Sequence, residues 1–212
     1  MGRWRIVAGT RNPAKVAELT AALGGVAQVD APPVGLVPPE AEDDGTFAEV
    51  AAAKALAWSR ALRDREPGAL VAASDGGLLI PALGDCWDPL RTRRFAGAGA
   101  DDLARADALL ALTADLHGDE RRIGWREALA IARDGRLLAT FTAESPPGIL
   151  ARDYDGGLIE SGRGFWIPAL WICPEYGGRR LAELTADERA GREDHWTVLG
   201  RAVRAFLETV DG

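Results

Sequence analysis

Of the 25 lysines and arginines in this chain only two are lysines, Lys15 and Lys54. Arginine carries nearly every other positive charge. Either these two positions prefer a compact ammonium on a flexible stem to a planar fork, or two surface lysines outlived a coding bias by chance. A point charge of that kind suits a polyphosphate. Lys15 lies within residues 6–18, which read as a strand, a short polar loop and a helix start, the shape of a phosphate seat. The carboxylate singled out for chemistry is Asp75. An apolar run, Leu70-Val71-Ala72-Ala73, delivers Ser74-Asp75-Gly76-Gly77 at its end, where open α/β sheets bind ligands and where paired glycines let backbone approach a phosphate or metal ion. An aspartate before glycine is also a common turn former.

The elements that must position these groups follow from local pattern. Ile6-Val7-Ala8 is a short strand, Gly9-Thr10-Arg11-Asn12 the turn, and Pro13 the first position of a helix capped by Asn12. That helix covers residues 13–23 and stops at Gly24-Gly25. Its positive N-terminus is flanked by Arg11 and Lys15 with no acidic residue, so a bound anion would stabilise it; two solvated bases are the plain alternative. Residues 26–29 form a second strand, and the proline-rich stretch 32–39 leads to the acidic cluster Glu40, Glu42, Asp43 and Asp44. Thr46-Phe47-Ala48-Glu49 is a capping box, and strong helix formers continue to a break at Pro67-Gly68. Val50, Lys54 and Trp58 share one stripe, which lays the Lys54 stem on the body and sends its ammonium to a cleft or to solvent.

Further on, Leu78-Leu79-Ile80 starts another strand, and an irregular loop over 86–99 carries Arg91, Arg93 and Arg94, which reach a triphosphate tail or face solvent. Residues 101–116 read as a helix, and Asp134-Gly135 turns a hairpin between 125–133 and 136–143. Residues 162–168 are a glycine and aromatic loop able to stack a base or to pack a core. Thr185 and Glu188 cap a short helix, and His195 opens a last one to about residue 209, with Val198, Ala202, Ala205 and Phe206 toward the body.

Composition narrows the function classes. With 212 residues and 47% hydrophobic content the chain supports one substantial core. A net charge of -7 argues against tight sequence-independent binding of nucleic acid, while a small anion with a metal ion stays open. Cys86 and Cys173 form no metal-spaced pair or disulfide framework, and no apolar run reaches the roughly 18 residues of a membrane span. The expectation is a cytoplasmic protein without membrane or nucleic-acid partners.

Taken together the pieces resemble the inosine triphosphate pyrophosphatase family over nearly the whole chain. Its T-G-N-x-x-K-like loop matches Thr10, Asn12 and Lys15, with Arg11 for the glycine. An acidic residue before T-F-x-E-N-A-x-x-K-A matches Glu42, Thr46, Phe47, Glu49, Ala51, Lys54 and Ala55; D-D-S-G-L matches Ser74-Asp75-Gly76-Gly77-Leu78; and S-A-R-Y matches Thr92-Arg93-Arg94-Phe95. The resemblance implies hydrolysis of non-standard purine nucleoside triphosphates to the monophosphate and pyrophosphate. It further implies Mg²⁺ on Glu42 and Asp75, Asp75 as catalytic base, and substrate contacts from Thr10, Asn12, Lys15, Lys54, Gly76, Phe165, Arg189 and His195. The fold it implies is α/β: a single domain over 1–212 with an elongated mixed β-sheet flanked by helices, two lobes with a central cleft, assembled as a homodimer.

The departures cluster at the base-reading end. G-F-G-Y-D-P is here Gly164-Phe165-Trp166-Ile167-Pro168, Arg189 stands for a lysine, and Asp194-His195-Trp196 replaces S-H-R. Val50 replaces an asparagine and Ser74 the first aspartate of the D-D pair. Lost hydrogen-bond partners alter base preference more than the reaction. The alternative is a nucleotide-binding or regulatory protein that keeps the fold without catalysis.

Overall fold

Apolar residues at strand and helix periods sort the computed structural model, described over residues 4–38, 44–162 and 165–210, into the following order. First come β1 (Trp4–Ala8), α1 (Pro13–Leu23), β2 (Ala27–Asp30), α2 (Phe47–Leu62), β3 (Leu70–Leu79), α3 (Asp102–Leu112) and β4 (Arg122–Arg133). Then follow β5 (Arg136–Glu144), β6 (Gly148–Leu150), α4 (Gly156–Ser161), β7 (Trp171–Cys173), β8 (Arg179–Arg180), α5 (Ala186–Ala190) and α6 (His195–Leu207). The chain forms two compact units: Met1–Gly76 with Arg126–Glu144 and Asp194–Gly212, and Gly77–Trp125 with Ser145–Glu193. No helix among the described residues is long and apolar enough to cross a membrane.

In the first unit the strands run in the order β2-β1-β3-β4, with β5 beside β4. β1 pairs parallel with β2 (Trp4 opposite Ala27) and with β3 (Ile6 opposite Leu70), while β4 and β5 are antiparallel. Successive side chains point to opposite faces, so each strand feeds two cores. Ile6, Ala8, Leu70, Ala72, Leu129 and Ile131 pack with Leu19 and Leu23 of α1 and Trp196, Leu199 and Val203 of α6. Val7 and Val71 point the other way, onto Trp58 and Leu62 of α2.

Local signals set the helix ends. The Asn12 carboxamide accepts from the Ala14 amide at 3.0 Å with Pro13 at the first position, and Thr46 and Glu49 close the expected capping box. α2 stops at Leu62, short of the break expected at Pro67. The next four residues, Arg63-Asp64-Arg65-Glu66, have no apolar face to bury, and the Arg65 and Glu66 amides turn back onto the Leu62 carbonyl at 2.9 Å. The hairpin forms where expected. Asp134 and Gly135 both take positive φ, 50° and 77°, the pair a two-residue turn of this hand requires.

Two expectations are corrected. Residues 70–80 are not two strands with Asp75 in a loop between them: β3 runs through Gly76 and Gly77, so Asp75 is a mid-strand residue. The inward face of α6 is Trp196, Leu199, Gly200, Val203 and Leu207, leaving Ala205 exposed and Val198, Ala202 and Phe206 only partly covered. Gly200 faces inward because a side chain there would meet the Ala22 carbonyl oxygen at 2.5 Å.

The second unit is built on short antiparallel pairings: β4 with β6, β6 with β7, and β7 with β8. Its core is aromatic, with Trp87, Trp166 and Trp171 buried among Leu78, Leu109, Ile123, Leu150 and Ile159. α3 ends at Leu112, before the expected residue 116, and the Thr113 hydroxyl donates back to the Leu109 carbonyl. Arg121 is 4% exposed and donates to the carbonyls of Leu150, Thr113 and Ala151 at 2.6–2.7 Å.

Candidate active site

Lys15, Lys54 and Asp75 lie together in the first unit, on α1, α2 and β3, while Arg91, Arg93, Arg94 and Arg189 belong to the second. After β1, the Thr10 hydroxyl accepts from the Asn12 amide at 3.1 Å, and Asn12 caps α1. Both polar side chains thus shape the loop, taking up the Asn12 and Ala14 amides at the start of α1. Arg11 bonds the Leu36 carbonyl and lies 5.8 Å over the Trp58 ring, tying the loop to the proline-rich connection. Thr10, Arg11, Pro13, Pro33 and Val37 line a pocket of about 590 Å³ beside that loop.

Lys15 sits one turn into α1. Its Nζ is 2.6 Å from Glu127 Oε1 and 3.7 Å from Glu18 Oε2, and lies 5.4 Å over the Trp196 ring. Burial works against the charge, but the two carboxylates outweigh it and the Lys15 pKa ends above its usual value. Glu18 is raised as well, here because burial dominates: its carboxyl goes to about 7 against the pull of Lys15.

Lys54, on the stripe predicted for it, donates to Asp75 Oδ1 at 2.6 Å. Val50 and Trp58, one turn to either side, are buried and hold the helix down, while the Lys54 side chain stays 33% exposed. Asp75 is pushed above the usual carboxylate range by burial, with Lys54 pulling it down and Glu127 adding to the rise. A carboxylate held by an ammonium, with a second ammonium near enough to act on it, is suited to take a proton from water beside a phosphate.

Glu127 is the residue that the sequence reading missed. Its side chain is fully buried in β4. Strand alternation carried the signal, since residues 127, 129 and 131 share a face and Leu129 and Ile131 are core. A glutamate on that face must be paired. Glu127 also explains Gly76: a Cβ there would lie 2.0 Å from Glu127 Oε2 and 2.7 Å from the Arg126 carbonyl oxygen.

The remaining predicted residues divide. His195 starts α6 beside the site, capped by Asp194, with its ring 5.7 Å from that of Trp196. Phe165 and Arg189 belong to the second unit. There Phe165 is half-buried, while the Arg189 guanidinium donates to the carbonyls of Leu184 and Ala182 at 3.0 Å and shapes the turn before α5. Trp166 is core, stacked on Phe95 with ring centroids 6.2 Å apart. Glu42 and Gly164 lie outside the described residues.

The donor chemistry fits a hard cation. Among the described residues no three histidine, cysteine, aspartate or glutamate side chains converge on a metal position. Mg²⁺ does not ask for three; it takes one or two carboxylates and completes its shell with water and substrate phosphates. Asp75 is such a carboxylate.

Residues 6–209 match the Ham1 family. The chain is 34% identical to a dITP/XTP pyrophosphatase from Desulforamulus reducens (strain ATCC BAA-1160 / DSM 100696 / MI-1), with 98% of this chain and 96% of that protein covered. It is 30% identical to a dITP/XTP pyrophosphatase from Anaeromyxobacter dehalogenans (strain 2CP-C), over 94% of each. Among solved structures, a HAM1 protein from Coxiella burnetii superposes with a TM-score of 0.74 at 22% identity, covering 98% of this chain and 100% of that one, a likeness of fold.

Proposed function

We propose, since the chain belongs to the Ham1 family, that it hydrolyses nucleoside triphosphates at the α–β phosphoanhydride, giving the monophosphate and pyrophosphate. Two dITP/XTP pyrophosphatases share its length at 30% identity or more, which supports non-standard purine triphosphates as the substrate class. The observation that carries the reading is the Lys54–Asp75 pair at 2.6 Å, in the same unit as Lys15 and the capped loop of Thr10 and Asn12. A phosphate chain needs cations and helix amides to hold it, and the attacking water needs a base.

In this mechanism the amides at the start of α1, with Thr10, Asn12 and Lys15, hold the phosphates. Asp75 accepts the proton of the attacking water, and Lys54 keeps that carboxylate oriented and offsets charge that builds on the leaving pyrophosphate. Asp75 and Glu42 are the carboxylates that would hold Mg²⁺, which supplies Lewis-acid stabilisation of the phosphoryl oxygens when bound. Gly76 and His195 complete the substrate contacts within the first unit. The rebuilt loop at 164–168 and the block Asp194-His195-Trp196 give this protein a base preference of its own. A cytoplasmic homodimer is part of the same reading.

The test is release of pyrophosphate and orthophosphate with Mg²⁺ across ITP, XTP, dITP and the common ribo- and deoxynucleoside triphosphates, with Asp75→Asn in parallel. Pyrophosphate from one or more of these, lost in the variant, is the expected result. Nucleotide binding with no turnover across the panel would replace the enzyme with a nucleotide-binding protein.

A further inference from the structure

We propose that Glu127 is a specificity-determining residue of the phosphate seat, which occupies the Lys15 ammonium in the free protein and so disfavours a bare polyphosphate relative to one that brings a divalent cation. The inference rests on the reading of Lys15 as a phosphate ligand.

Glutamate is almost never fully buried without a partner, and Glu127 has no exposed side-chain surface. It cannot swing into solvent to release Lys15, because β4 holds it within a run of core residues, Ala128 to Ala132, with its Oε2 filling the space above Gly76. The fit is mutual, since a Cβ at residue 76 would stand 2.0 Å from that oxygen. Lys15 keeps 21% of its side chain exposed, so solvent and small anions meet that side chain. The carboxylate stays where it is and faces such an anion across the same nitrogen.

The charges in reach make the consequence directional. Among the described residues, Lys15 and Lys54 are the cations of this paired cluster and Asp75, Glu127 and Glu18 its carboxylates, with Arg11 outside it on the Leu36 carbonyl. Even with Glu18 half-neutral at a pKa of about 7, two ammoniums meet at least two carboxylates. Such a cluster has no excess positive charge for a polyanion, and like charges at close range in a partly buried site repel strongly. A phosphate chain that carries its own cation brings the missing charge. Without Glu127 the Lys15 ammonium would be available to bare phosphate.

The experiment compares wild-type protein with Glu127→Gln. Inorganic pyrophosphate is titrated by calorimetry in EDTA, and the KM and kcat for ITP are measured in saturating Mg²⁺. We expect Glu127→Gln to bind pyrophosphate in EDTA at least about tenfold more tightly than wild type, with KM in Mg²⁺ changing less than about threefold. A purely structural counterion would move stability and leave this difference between conditions unchanged. Equal or weaker pyrophosphate binding by the variant in EDTA overturns the inference. Glu127→Ala, with the same expectations, replaces Glu127→Gln if circular dichroism shows the latter unfolded. Wild-type protein that neither binds pyrophosphate nor turns over ITP in Mg²⁺ sinks the phosphate reading and this inference together; turnover in Mg²⁺ without the gain in EDTA sinks this inference alone.

Discussion

The two units bury their charges in different company. In the first, Lys15 faces Glu127 and Lys54 faces Asp75, ion against ion, with part of each lysine side chain still exposed. In the second, the buried Arg121 gives its guanidinium hydrogens to backbone carbonyls, as the exposed Arg189 also does, and the buried Arg192 bonds the Pro146 carbonyl and Glu175 while lying 5.7 Å over the Trp171 ring. A guanidinium fork matched to neutral carbonyls fastens chain segments, and little is left for a ligand to gain. An ammonium balanced by a carboxylate can be rebalanced by another anion. Burial of charge alone therefore does not mark an active site; the kind of partner does.

Asp75→Asn is the sharpest way to break this contrast. It is expected to lower kcat by about 10²–10⁴ with folding intact, read as pyrophosphate release and near-ultraviolet circular dichroism. Undiminished turnover would remove the first unit's claim to the chemistry. Next in size is Lys15→Met, which strands a buried carboxylate and should cost about 3–5 kcal/mol in urea unfolding. Adding Glu127→Gln should return most of that loss, and a double-mutant cycle measures the coupling.

On the other side of the comparison, Arg121→Met should destabilise the protein by about 3 kcal/mol, because the Leu150, Ala151 and Thr113 carbonyls each lose a guanidinium donor, Thr113 keeping only the Leu116 amide. Its kcat per folded molecule should stay near wild type. The smallest effect is the pH response of Glu18. The folded pKa of about 7 lies above the ordinary value, so the fold favours the protonated form. That contribution is complete below about pH 4.5 and is lost as pH rises through 7. Glu18→Gln should match wild type at pH 4.5 and exceed it by about 1–2 kcal/mol at pH 8, allowing for solvent screening, in guanidinium midpoints.

Much of the first unit was legible because its signals are local. Asn12-Pro13, the Thr46–Glu49 capping box and Asp134-Gly135 each satisfy backbone groups or fix φ within four residues, and each formed as expected. The stripe of Val50, Lys54 and Trp58 placed Lys54 correctly for the same reason. What escaped depends on neighbours distant in sequence. Gly76-Gly77 read as a break, yet β3 passes through them because β4 brings Glu127 against the bare Cα of Gly76. Glu127 itself looked like one more polar strand residue until alternation was followed to Leu129 and Ile131. In the second unit, Arg189 matched a substrate lysine by position, and only the fold shows that its guanidinium holds Ala182 and Leu184.

The fit of Gly76 beneath Glu127 also makes the two residues a single choice. Where the resembled motif has serine, this chain has glycine, and a Cβ there would meet both the Glu127 carboxylate and the Arg126 carbonyl oxygen. With glutamate at 127, residue 76 is closed to a side chain, so the identity of one residue has become a condition on the other.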